Sequence, residues 1–152
     1  LLTNDGGLSR VLELPETGWL RRYRVRAFGD ITQPALDALA DGVTIDGMHY
    51  GPVEAEVNRE QGDNVWLTLG LREGKNREVR RVLEHLGLEV SRLLRTSYGP
   101  FELLDLPRGA VVEIRPAEVE RFRATLKMDG KSAAPRPAAE QARLRVQRNR
   151  RR

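Results

Sequence analysis

Glu73-Gly74-Lys75-Asn76-Arg77-Glu78-Val79-Arg80-Arg81 holds a turn, a helix start and a dense set of charges within nine residues, and its reading decides the architecture on either side. Gly74 permits close backbone approach, Asn76 is the expected N-cap, and the first N–H groups of the following helix should point at whatever occupies the turn. Lys75, Arg77, Arg80 and Arg81 add fixed positive charge around those donors, which suits a phosphodiester or another anion. The competing reading is a solvated basic helix in which Arg80 pairs with Glu84 four residues on. Downstream, Val79, Val82, Leu83 and Leu86 recur at helical spacing and Gly87 supplies the stop. On that wheel Arg80 flanks the apolar stripe, whereas Arg77 and Arg81 lie on the outer side. Upstream the period is two: residues 43–45, the Asp46-Gly47 turn, and residues 53–57 and 65–71 read as an antiparallel meander. The switch from strand period to helix period at this turn predicts an α+β fold, a mixed and largely antiparallel sheet with flanking helices.

Residues 19–28 extend the strand pattern, with Tyr23, Val25 and Ala27 on one face and Arg22, Arg24 and Arg26 on the other. Thr32 is expected to cap a short helix with Pro34 in its first turn, running through Leu36 and Leu39 to Gly42. Residues 90–98 and 110–114 read as further strands, and Pro116 opens a helix turning Val119, Phe122 and Leu126 inward. At the other end, Leu1 and Leu2 read as the close of a strand, and Asn4-Asp5-Gly6-Gly7 as a turn that returns toward residues 8–12. Leucine as first residue reads as a cut end, so the sheet is expected to be incomplete on its amino-terminal side.

The 152 residues, 39% apolar and 32% charged, suffice for one domain with a sizeable core. No cysteine is present, which excludes disulfides, thiolate metal sites and thiol nucleophiles. His49 and His85 lack metal-ligand spacing, so no metal is expected. No apolar run approaches the length of a membrane span, and a cytoplasmic location is the expectation. The net charge of +4 divides unevenly. From Lys131 to the end, eight basic residues against Glu140 leave +7, so the remainder of the chain carries −3. Residues 129–152, rich in alanine, proline and arginine, are read as a disordered basic tail and residues 1–128 as the folded part. Bulk charge therefore gives the folded part no affinity for polyanions, and only local clusters can.

Three segments in order carry a resemblance: Leu1-Leu2-Thr3-Asn4-Asp5-Gly6, then Arg22-Tyr23-Arg24-Val25, then residues 73–81 continuing into Gly87, Val90, Arg92-Leu93 and Tyr98-Gly99. In sequence and spacing they resemble the ribosomal RNA pseudouridine synthases, in the branch that modifies single uridines of the small or large subunit. The resemblance spans about residues 1–126. It implies an isomerase that detaches uracil from its ribose, turns it and rejoins it through carbon, with no cofactor. It also implies that the nucleophile is an aspartate of a Gly-Arg-Leu-Asp motif. That motif does not occur in these 152 residues, and Asp5 stands in the wrong register to replace it, so the chain alone is expected to be inactive.

The same resemblance makes Tyr23 the residue that stacks on the target base and assists proton removal, where its residues alone suggest a core tyrosine. It makes Arg80 the partner of the nucleophilic carboxylate and Val79 the aliphatic neighbour of the base. Lys75, Asn76, Arg77 and Arg81, then Arg22 and Arg24, then Arg95, are the expected RNA contacts, holding phosphates rather than reading bases. Ribosomal RNA, of the large subunit by the form of residues 91–99, is the expected partner, and a monomer the expected state. The rival classes are a catalytically inactive RNA-binding module and a ribosome-associated structural protein.

Overall fold

The computed structural model describes residues 1–126, so the proposed tail and its boundary at 128/129 lie outside the described residues. The described chain divides into two compact units, residues 12–112 and a smaller one formed by residues 1–11 with residues 113–126.

The larger unit is built on a five-stranded sheet in the order β4-β5-β1-β6-β7, comprising β1 (Arg21–Phe28), β4 (Val53–Gln61), β5 (Asn64–Leu71), β6 (Glu89–Tyr98) and β7 (Phe101–Glu102). Every pairing in it is antiparallel. β2 (Val43–Ile45) and β3 (Met48–Tyr50) form a separate hairpin whose Asp46 and Gly47 both have positive φ, as a tight two-residue turn of this hand requires. Two short helices cover one face of the sheet: α2 (Gln33–Asp37), continued by a 3₁₀ turn to Asp41, and α3 (Glu78–His85). Val25, Ala27, Leu67 and Leu69 from the sheet, Leu36 and Leu39 from the α2 region, and Val79, Val82 and Leu83 from α3 form one buried cluster. The alternation read on residues 19–28 is thus the pleat of the central strand, odd positions inward and even positions out.

In the smaller unit, α4 (Pro116–Thr125) buries Phe122 and half-buries Val119 and Leu126, as its spacing predicts. Residues 8–12 depart from expectation: instead of returning as a strand, they belong to α1 (Gly6–Glu13). Asp5 decides this, because its Oδ1 accepts from Gly7 N at 3.0 Å and Leu8 N at 3.1 Å, turning a turn-like Asn-Asp-Gly-Gly into a helix cap. Residues 110–114 also differ: they are irregular, with Val111 and Val112 exposed. The outer place beside β6 is taken by β7, which pairs with Ser97 and Tyr98.

Candidate functional site

Tyr23, on the helix-covered face of β1, is half-buried against the core cluster that contains Val79. Its hydroxyl makes no hydrogen bond among the described residues. Directly across on β6 stands Arg95, which is exposed and whose guanidinium lies 4.9 Å from the centre of the Tyr98 ring. Arg21 reaches the same ring, at 4.8 Å, and donates to the Tyr98 hydroxyl at 3.0 Å, which in turn donates to Leu12 O. Arg21 is buried, yet forms no ion pair among the described residues. It shares odd parity with Tyr23, Val25 and Ala27, a signal the sequence reading passed over.

Arg80 flanks the apolar stripe of α3 as expected and is half-buried. It does not pair with Glu84. Nη1 donates instead to the Val90 carbonyl at 3.2 Å, and Val90 faces Ala27, four residues along β1 from Tyr23. At ~3.3 Å per residue that anchor lies about 13 Å along the strand from the Tyr23 backbone. A carbonyl leaves the guanidinium charge uncompensated, so Arg80 keeps its charge and its remaining donors for a carboxylate.

The turn before α3 is filled from within. Asn76 is not the N-cap; Arg77 is, in a left-handed conformation at φ 55°, and Arg81 N closes on its carbonyl at 2.9 Å. The reason is Glu78, whose Oε2 reaches back to accept from Lys75 N at 3.1 Å and fixes the turn one residue later than expected. Glu73 lies beside it, accepting from Gly51 N at 2.6 Å and from Lys75 Nζ at 3.1 Å. Burial pushes the Glu78 carboxyl up to about 8, with the Glu73 carboxylate adding to the shift. Burial would also raise Glu73, but hydrogen bonds from Glu78, Gly51 and Lys75 outweigh it and hold that carboxyl below its ordinary value. The two carboxyls thus share one negative charge, a pair hidden in a run that reads simply as charged.

The expected RNA contacts fall into three settings. Lys75, besides Glu73, donates to His49 O and lies 5.6 Å from the Tyr50 ring, while Arg81 Nη1 donates to the Tyr50 hydroxyl at 3.2 Å. Asn76 and Arg77 are exposed at the tip of the turn. Arg22 and Arg24 project from the opposite face of the sheet to Tyr23, so the structure does not bring them beside it. Among the described residues no group of histidines and carboxylates could hold a metal ion, and no helix is long and apolar enough to cross a membrane.

No family model matches the chain. Curated relatives do. A protein of Rickettsia bellii named an uncharacterized RNA pseudouridine synthase is 46% identical over 114 residues, covering 75% of this chain and 49% of the relative. The chain belongs with the RNA pseudouridine synthases. Ribosomal large subunit pseudouridine synthase B of Haemophilus influenzae is 36% identical over an alignment covering 97% of this chain and 44% of that protein. A crystal structure of a pseudouridylate synthase shares the fold, with a TM-score of 0.70 over 79% of this chain and 52% of that one, at 24% identity. The chain spans about half the length of the curated relatives it matches.

Proposed function

We propose that this chain is the part of a ribosomal RNA pseudouridine synthase that receives the target uridine, with large-subunit RNA as substrate. Residues 1–128 are assigned to the catalytic domain and residues 129–152 to a basic tail. In the reaction the C1′–N1 bond breaks, a C1′–C5 bond forms, one proton leaves C5 and one is taken up at N1. The balance is an isomerisation, which calls for positioned acid–base groups and a carboxylate nucleophile and for no cofactor. We place the protein in the cytoplasm as a monomer.

The observation that carries this reading is Tyr23: an aromatic ring against the Val79 cluster with an unengaged hydroxyl, and an exposed arginine across the strand pair. A ring so placed can stack on a base that has left its helix, while the hydroxyl can reach the C5 proton. Arg95 can hold the phosphate of that nucleotide, and Arg80 can keep an incoming aspartate ionised. The Haemophilus influenzae relative's name supports the large-subunit assignment.

The test is release of tritium from ribosomal RNA labelled at C5 of uridine, by the chain alone and by the chain joined to the amino-terminal half of the Rickettsia bellii relative. The fusion should release label and the isolated chain should not. Tyr23→Phe should slow the fusion ~100-fold or more, in the range of a lost acid–base group. Tight RNA binding by the fusion with no label released would instead establish an inactive binding module.

A further inference from the structure

The outward face of the five-stranded sheet carries a second arrangement, independent of Tyr23. Trp66 on β5 is its centre: the guanidinium carbons of Arg24, Arg26 and Arg59 lie 5.0, 5.9 and 6.0 Å from the Trp66 ring centre. Arg26 faces Trp66 on one side and Arg92 on the other in the strand register. Two positions from Arg26 on the same face, Phe28 is 51% exposed, and Leu94 opposite Arg24 is 39% exposed. All four arginines are exposed and none forms an ion pair among the described residues. The carboxylates on this face are Glu54 and Glu56 on β4, Glu89 opposite Phe28 and Glu102 opposite Ser97, and among the described residues none forms an ion pair with the four arginines.

Four uncompensated arginines on one patch of a body whose net charge is −3 create a local field opposite to that of the bulk. The guanidiniums of Arg24, Arg26 and Arg59 are held against an indole rather than by carboxylates, which restrains their positions and leaves their charge available. Alternation of arginine with the exposed Phe28 and the half-buried Trp66 on an open antiparallel sheet fits single-stranded nucleic acid, whose phosphates follow the cations and whose bases stack on the rings. A duplex keeps its bases inside and could use only the charge. We infer that this face is a platform for a single-stranded segment of RNA, with Arg24, Arg26, Arg59 and Arg92 on phosphates and Phe28 and Trp66 under bases. The inference rests on RNA being the partner of this chain, and it places a second contact region on the side of the sheet opposite Tyr23.

The chain contains two tryptophans, so Trp19→Phe leaves Trp66 as its sole tryptophan reporter. Titration of that variant with a ten-nucleotide oligouridylate should quench its fluorescence. Phe28→Ala should weaken binding roughly tenfold, the scale of one lost base stack. The triple change Arg24→Gln, Arg26→Gln, Arg92→Gln should lower the slope of log affinity against log salt by about 2, given ~0.7 per phosphate contact on a single strand. An unquenched Trp66, equal affinity for duplex RNA, displacement by polyglutamate as readily as by oligouridylate, or arginine variants that lower only the melting temperature would each overturn the platform. Quenching in a protein whose fusion releases no tritium would uphold the platform while removing the isomerase reading; tritium release without quenching would do the reverse.

Discussion

Glu78 is the residue with the sharpest consequence for stability. Its folded carboxyl keeps a proton to about 8 against an ordinary value of 4.5, so between those values the folded state binds more protons than the unfolded chain. The stabilisation from this group is complete below pH ~4.5 and is lost as pH rises through about 8. Glu73 acts in the opposite sense: its lowered value contributes stability above 4.5 that is lost on acidification. Glu78→Gln can still accept from Lys75 N and donate to Glu73, but cannot ionise. Thermal melts from pH 5 to pH 9 should show the parent losing stability from pH 5 to about 8 and levelling off beyond, and the variant flat across that span. Arg95 supplies a second prediction at this scale. Because it faces Tyr23 and is exposed, Arg95→Gln in the active fusion should raise KM for RNA about tenfold with kcat little changed, as expected for a lost phosphate contact. An equal fall in kcat would instead assign it to the transition state. Tyr23, Val79 and the flank position of Arg80 were legible in the sequence because parity and helical period place them. The Glu73–Glu78 pair was not, because a charged run looks solvated until the Gly51 turn packs over it.

Among the elements, α1 shows how one cap can override a turn signal. Asn4-Asp5-Gly6-Gly7 has hairpin composition, yet Leu8 and Leu12 are both buried at helical spacing and Asp5 satisfies two amide donors. The cap is reinforced by Arg123 of α4, whose Nη2 meets Asp5 Oδ2 at 2.5 Å. The Leu8 amide bond and the Arg123 contacts hold the Asp5 carboxyl below its ordinary value despite burial. Asp5→Asn should keep the amide bonds and lose only the ion pair, whereas Asp5→Ala should lose both and cost about 1–2 kcal/mol by denaturant unfolding. In the active fusion Asp5→Asn should retain isomerisation, since Asp5 serves as a cap; loss of label release with unchanged stability would reopen a chemical role. The meander and α3 were readable because their burial is one-sided and local. Residues 110–114 were misread because two adjacent valines mimic a strand whose partner place is held by β7.

At the scale of the whole molecule, the sheet must protect its outer strand. β4 lies at the end of the order β4-β5-β1-β6-β7, and a free edge of that kind invites pairing with another chain. Here Gln33 of α2 acts as a surrogate strand: Nε2 donates to Ala55 O at 2.9 Å and Oε1 accepts from Val57 N at 3.0 Å. The register of β4 against β5 then shifts between Val57 and Arg59, so the stretch beyond the glutamine is irregular and a poorer template. The same bond pair ties α2 to the sheet and so holds Leu36 and Leu39 in the core. Gln33→Ala should therefore cost about 1–3 kcal/mol, two edge hydrogen bonds that water only partly replaces. It should also make association concentration-dependent. Light scattering and unfolding midpoints across a range of protein concentrations would register both effects. A variant that lost stability but stayed monodisperse would mean that the bulge at Val57–Arg59 alone is enough to guard the edge.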